Sequence, residues 1–209
     1  TTAPQALRQK FQAKAEAVSA VVRSVASPRE ALAYTVDLCD RKEACQLLPA
    51  GCTEPLSDKA RDLCDLKAQK VIAAPGLPAA EREELERLCA DRGLRLTDRP
   101  LREHLAGIDI GFTYADWGIA DTGSLVIDST SEDLRLATMV SEIHVALLPL
   151  SRLRATAYDL EGELGGLMRR TGNYTAFITG ASRTADIERV LALGVHGPLE
   201  LHILVWEDA

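Results

Sequence analysis

From Val71 to the C-terminus, short apolar runs alternate with amphipathic stretches, and this alternation constrains the fold more than any other feature of the chain. The runs are Val71-Ile72-Ala73-Ala74, Leu94-Arg95-Leu96, Ile108-Asp109-Ile110-Gly111-Phe112, Ser124-Leu125-Val126-Ile127, Ile143-His144-Val145-Ala146-Leu147-Leu148, Tyr174-Thr175-Ala176-Phe177-Ile178 and Leu201-His202-Ile203-Leu204-Val205. Between them, residues 79–92 place Leu85, Leu88 and Cys89 on one helical face, and Gly93 supplies the stop. Residues 132–137 read as a short helix, and residues 155–170 as a longer one with Leu160, Leu164 and Leu167 at helical spacing. Residues 184–193 read as a last helix. Near-continuous apolar strands separated by helices specify α/β: a three-layer α/β/α arrangement whose largely parallel sheet is covered on both faces.

The first third reads differently. Residues 3–26 lack Gly, have Pro4 only near the start, and are expected to form a helix. Ser27-Pro28-Arg29-Glu30 is a capping box with Pro at the first helical position, which starts a second helix running to about Cys45. Residues 47–58 carry Pro49, Gly51 and Pro55 and read as a loop. The expected organisation is an N-terminal helical extension, residues 1–66, followed by an α/β domain, residues 67–209.

At 209 residues the chain can bury one sizeable core, and 46% hydrophobic with 26% charged residues is the composition of an ordinary globule. The 24 Lys and Arg against 31 Asp and Glu give a net charge of −7, which argues against nucleic acid or an anionic membrane as the main partner. No apolar run reaches the ~18–20 residues of a membrane span, and the opening residues lack the apolar core of an export signal. A cytoplasmic location is the expectation. Cys39, Cys45, Cys52, Cys64 and Cys89 form an odd set with no C-x-x-C spacing. They are expected to be free, buried thiols rather than zinc or iron–sulfur ligands, so no metal is expected in the chain.

Ligands in open α/β sheets sit beyond the carboxyl ends of strands. Two segments satisfy that rule. The first is Thr179-Gly180-Ala181-Ser182-Arg183-Thr184, read as a sharp turn into a helix whose first amides point outward. There Gly180, Ser182, Arg183 and Thr184 either bind a small carboxylate or phosphate or only cap the helix. Asp186 and Glu188 favour that helix end, and one of them is expected to pair with Arg183 or a neighbouring strand. The second segment runs from Thr113 to Ser124 and contains Asp116, Asp121, Thr122 and Gly123. Asp116 and Asp121 are read either as an acid/base pair or as turn-forming residues. Tyr114 and Trp117 wall a pocket or cover the sheet. His196, between Gly194 and Gly197 and before Pro198, is read as catalytic or as part of a helix stop. A single helix over 184–193 would hold Arg183 and His196 roughly 15 Å apart, so within one chain they could not share a substrate, and a symmetric partner in a homo-oligomer would have to bring His196 in. His144 and His202 lie in apolar strands and are expected to be hydrogen-bonded within the core or at its edge. Neither G-x-G-x-x-G nor G-x-x-x-x-G-K-[ST] occurs, so no nicotinamide, flavin or ATP site is indicated.

Three ordered motifs resemble the lactate-utilisation (LUD) domain family: Gly118-Ile119-Ala120-Asp121-Thr122-Gly123-Ser124-Leu125-Val126, Ser182-Arg183-Thr184-Ala185-Asp186-Ile187-Glu188, and Gly194-Val195-His196-Gly197-Pro198. The resemblance runs from about Val71 to the C-terminus. It implies a fold similar to ribose-5-phosphate isomerase, glucosamine-6-phosphate deaminase and CoA transferases. It also implies a role in oxidising L-lactate to pyruvate beside iron–sulfur partner proteins, as a subunit without an electron carrier of its own. Two departures stand out: Ala181 where the family usually has Pro, and Ser141-Glu142 where a Pro is expected before the His144 strand. Asp121-Thr122-Gly123 loosely resembles the Glu-Asn-Gly turn of CoA transferases, which keeps open a stand-alone acyl-transferase or sugar-phosphate isomerase reading with Asp121 as nucleophile.

Overall fold

A computed structural model of the chain describes residues 3–42, 69–97, 100–104, 107–187, 190–193 and 197–208. Six parallel strands form the main sheet: β1 (Ala20–Val25), β2 (Val71–Ala73), β3 (Arg95–Leu96), β4 (Ile110–Tyr114), β7 (Ile143–Pro149) and β12 (Glu200–Trp206), in spatial order β1-β12-β7-β4-β2-β3. A second sheet, in order β8-β5-β6-β9, joins β5 (Trp117–Ile119), β6 (Ser124–Asp128), β8 (Leu153–Arg154) and β9 (Thr175–Ile178). The fold is α/β, as expected.

Side-chain alternation sets the layers. On one face of the main sheet, Ile110, Phe112, Ile143, Val145 and Leu147 pack against α2 (Pro28–Arg41) and α3 (Ala79–Asp91) through Leu32, Val36 and Leu85. On the other face, Ala146, Leu148, Leu201 and Ile203 meet Phe11 and Ala15 of α1 (Ala3–Ala17) and Leu125 and Ile127 of β6. Val126, the alternate residue, points away from that core and joins Trp117 and Ile119 under Leu160 and Leu167, which bracket α5 (Glu161–Met168). The second sheet is therefore covered on both sides at β5 and β6, whereas Phe177 on its edge strand β9 stays half exposed. Each fully buried aliphatic or aromatic side chain contributes about 1.5–3 kcal/mol, which makes the two faces of β7 and β12 the main source of stability. The short helix α4 (Glu132–Val140) lies over Gly111, where Ala137 O would stand 2.1 Å from any added Cβ. Among the described residues no helix is long and apolar enough to cross a membrane.

Ser27 caps the helix as expected, while the reciprocal bond of the box falls one residue earlier, on Ala26. Ser27 Oγ accepts from the Glu30 amide at 3.2 Å, and Glu30 Oε2 accepts from the Ala26 amide at 2.7 Å. The helix it starts ends at Arg41, earlier than Cys45, because Lys42 turns extended.

The helix expected over 3–26 stops at Ala17. Ser19 takes a positive φ of 66°, and Ala20–Val25 pairs in parallel with β12 over six residues. The β-branched Val21, Val22 and Val25 are stiff in a helix, and the open edge of β12 supplies the pairing that decides the matter. Residues 3–41 thus contribute a strand to the main sheet and two helices to its two faces, rather than helices alone. The boundary itself falls outside the described residues.

A larger difference concerns residues 184–193. These form an antiparallel ribbon of β10 (Arg183–Ile187) and β11 (Val190–Leu193), with Arg183 opposite Leu193 and Thr184 opposite Ala192. Cross-strand pairing satisfies the backbone here, and the i→i−4 ladder of a helix does not form.

Candidate functional site

The two segments selected by the sequence meet. β6 and β9 run antiparallel with Leu125 opposite Ile178, so the turn entering β6 lies beside the loop leaving β9. Ser124 Oγ stands 2.7 Å from both Thr122 Oγ1 and Thr179 Oγ1, giving a chain of three hydroxyls across the junction. Gly123 and Gly180 both adopt positive φ, 67° and 75°, and both press against the end of α1. A Cβ at Gly123 would stand 2.2 Å from the Ala15 amide nitrogen, and one at Gly180 would stand 2.3 Å from Val18 O. Only glycine combines that backbone conformation with that approach.

Two cations border the junction. Lys10 of α1 pairs with Asp121, and Arg183 donates to the hydroxyl of Ser19. Both contacts are at the surface: Lys10 and Asp121 are 49% and 42% exposed. Exposed pairs of this kind are worth only about 0.2–1 kcal/mol, so a competing anion displaces them at low cost.

The structure changes the physical basis of the anion reading. No helix begins after Gly180, so the outward-pointing amides of a helix start are not available. The Ser182 amide donates to Pro198 O at 2.9 Å, and Arg183 and Thr184 are paired with the partner strand of the ribbon. What Gly180, Ser182, Arg183, Thr122 and Gly123 form is a junction of two loops; the Thr184 side chain lies outside the described residues. His196 also lies outside them. Its described neighbours revise the distance argument: Leu193 is paired with Arg183, and Pro198 is bonded to Ser182, so the chain returns beside this loop instead of ending a helix length away.

Asp116 and Asp121 do not form a pair. The three-residue strand β5, about 10 Å long, lies between them. Asp116 Oδ2 accepts from the Asp128 amide at 2.6 Å, fixing the corner before β5 to the end of β6. Burial raises its pKa, and the amide bond partly offsets this. Tyr114 and Trp117 do not wall the junction either. Tyr114 donates to Glu81 at 2.8 Å on the α3 face, and Trp117 is buried under α5. Cys39 and Cys89 are free and buried, with burial pushing their thiols up to about 12 and about 11, so neither offers a ready thiolate. Cys45, Cys52 and Cys64 lie outside the described residues. His144 Nε2 lies 2.9 Å from Thr113 Oγ1, and burial lowers the imidazole to about 4.

One locus was missed by sequence reasoning. β2 sends its chain to α3 on one face, whereas the next strand in the sheet, β4, sends its chain to the other. At such a reversal an open α/β sheet leaves a crevice. A cleft of about 340 Å³ lies there, lined by Gly76, Arg82, Thr97, Ser131 and Asp133. Asp133 is occupied by the Leu101 amide at 2.8 Å. Arg82, paired with Glu86, and the Ser131 hydroxyl, which makes no capping bond, are donors on its described lining. The Pro75-Gly76 turn directly after the Val71 strand was the available signal.

The LUD domain family model matches residues 8–206. Lactate utilization protein C of Halalkalibacterium halodurans is 31% identical over 131 residues, 61% of this chain and 55% of that protein. Its counterpart in Shouchella clausii is 31% identical over 102 residues, 48% and 44% of the two chains. The protein of the same name from Anoxybacillus flavithermus is 28% identical over 183 residues, 80% and 79% of the two chains. Over the first two, the chain spans about half the length of the relative it matches. A DUF162 family protein from Deinococcus radiodurans shares the fold, with a TM-score of 0.63 at 16% identity, covering 99% of this chain and 100% of that one.

Proposed function

Because this chain belongs to the LUD-domain family, we propose that it serves lactate utilisation as a subunit that binds a small organic anion and leaves electron transfer to iron–sulfur partner proteins. The observation that carries the reading is the junction itself. Two motifs 55 residues apart, joined by the 2.7 Å bond between Ser124 and Thr179, gather three hydroxyls beside Arg183 and Lys10. A carboxylate entering there takes hydrogen bonds from the hydroxyls and exchanges the Ser19 hydroxyl for itself on the Arg183 guanidinium, which suits it better as a charged, bidentate acceptor.

The test has two arms. Calorimetry with L-lactate, pyruvate and phosphate measures the anion site, and Arg183→Ala must weaken the binding. Affinity purification from native cells, followed by iron analysis, measures the partner claim. Turnover of a CoA thioester or sugar phosphate by the purified chain, lost in Asp121→Asn, would replace this reading with a stand-alone transferase or isomerase.

A further inference from the structure

A second polar constellation lies on the opposite face of the main sheet and belongs to none of the motifs above. His202 of β12 points to the α2 side, since its neighbours Leu201 and Ile203 fill the α1 side. Its Nε2 lies 2.8 Å from Glu200 Oε2, and its Nδ1 lies 2.7 Å from the Tyr34 hydroxyl. The imidazole is buried, whereas the Glu200 side chain is 45% exposed and Tyr34 is half-buried. The Arg23 guanidinium, from edge strand β1, lies over the Tyr34 ring 5.4 Å from its centroid. Among the described residues, Arg23 has no carboxylate partner.

With the ring neutral, donor and acceptor rules set the proton order. A carboxylate only accepts, so His202 Nε2 carries hydrogen toward Glu200. In the neutral ring Nδ1 is then an acceptor, and Tyr34 donates to it. The result is a hydroxyl–imidazole–carboxylate chain with an exposed arginine at its hydroxyl end. We propose that Arg23, Tyr34, His202 and Glu200 form a second binding site, for a small carboxylate, whose occupancy is linked to uptake of one proton at His202. The anion pairs with Arg23 and takes the Tyr34 hydrogen bond. Nδ1 loses its donor, accepts a proton from solvent and becomes the donor to Tyr34 Oη. Glu200 then faces an imidazolium, a charge-assisted hydrogen bond stronger than the neutral one. One anion and one proton enter, and no covalent bond to carbon changes.

The surroundings suit this exchange. Burial raises the Tyr34 phenol; Arg23 and Arg41 pull it down and Glu200 pushes it up, so the phenol stays protonated and able to donate. Among the described residues, the charged groups acting on Tyr34 are Arg23 from β1, Arg41 from α2 and Glu200 from β12, while β7 presents Val145 opposite His202. The proposal is independent of the lactate reading, because it uses the other face of the sheet.

Acetate is the probe. Titration calorimetry in two buffers of different ionisation enthalpy counts protons, and nitrogen-detected NMR of His202 reports its Nδ1. Wild-type protein takes up to one proton per acetate bound, with affinity rising by up to about tenfold per pH unit on acidification, the limit for one linked proton. Tyr34→Phe keeps the ring under Arg23 and abolishes the proton uptake. Arg23→Gln weakens binding without changing the proton count. Acetate binding without proton uptake, an Nδ1 signal unmoved at saturation, undetectable binding, or unchanged linkage in Tyr34→Phe would overturn the proposal.

Discussion

The Lys42 ammonium lies 2.7 Å from Asp109 Oδ1, and the two side chains are 3% and 1% exposed. Glu142 Oε2 stands at the same 2.7 Å from Lys42, and Asp109 Oδ2 accepts the Val71 amide at 2.7 Å. One cation thus ties the end of α2 to the beginnings of β2, β4 and β7. Burial opposes the charge on Lys42, and the two carboxylates more than offset it, holding its pKa above the ordinary value. Asp109→Ala leaves a buried ammonium short of a partner and the Val71 amide without an acceptor. It is expected to cost about 3–5 kcal/mol in urea unfolding. A loss below about 1 kcal/mol would show that the contact is dispensable.

Two glycine substitutions should differ in sign. At Gly123, alanine forces a Cβ to within 2.2 Å of the α1 backbone at a φ of 67°. The left-handed conformation alone costs roughly 1–2 kcal/mol, and the displacement of α1 adds to it. At Gly162, inside α5, a Cβ meets nothing within 4 Å, and alanine should stabilise by about 0.5–1 kcal/mol through helix propensity. Thermal unfolding of both variants checks the contrast.

His144 supplies a pH dependence. Burial lowers its folded pKa from 6.5 to about 4, so the unfolded chain takes the proton first as pH falls. Its contribution is fully present above 6.5 and is lost progressively down to about 4, where the loss reaches roughly 3 kcal/mol. Denaturant titrations across that interval should show wild type losing more stability than His144→Gln. Parallel curves would contradict the assignment.

Arg183→Ala is expected to weaken anion binding at the junction by about 1.5–3 kcal/mol, the scale of hydrogen bonds to charged groups. Arg82→Ala, in the cleft beside β2, serves as the comparison and should leave that affinity unchanged. The reverse pattern in calorimetry would move the anion site to the cleft.

Much of this fold was legible locally because burial on both faces leaves an imprint on composition. The runs at 143–148 and 201–205 contain one polar residue each, which only a central parallel strand tolerates. The meeting of the Asp121 turn with the Gly180 loop was not legible. It depends on β6 pairing with β9 across the 46 residues between Asp128 and Thr175, and no local pattern encodes a partner that distant. The Tyr34–His202 contact spans 168 positions and was hidden for the same reason.

The sequence alone determined the class of the chain, its main-sheet strands after Val71 and the start of α2, since periodicity and capping chemistry act within a few residues. Tertiary structure decided the conformation of 18–25 and of the ribbon formed by 183–187 with 190–193. Both segments mix helix formers with β-branched residues, so their intrinsic preferences nearly cancel. An open edge on β12 for the first, and pairing between its own two halves for the second, supplied the few hydrogen bonds that settled the balance.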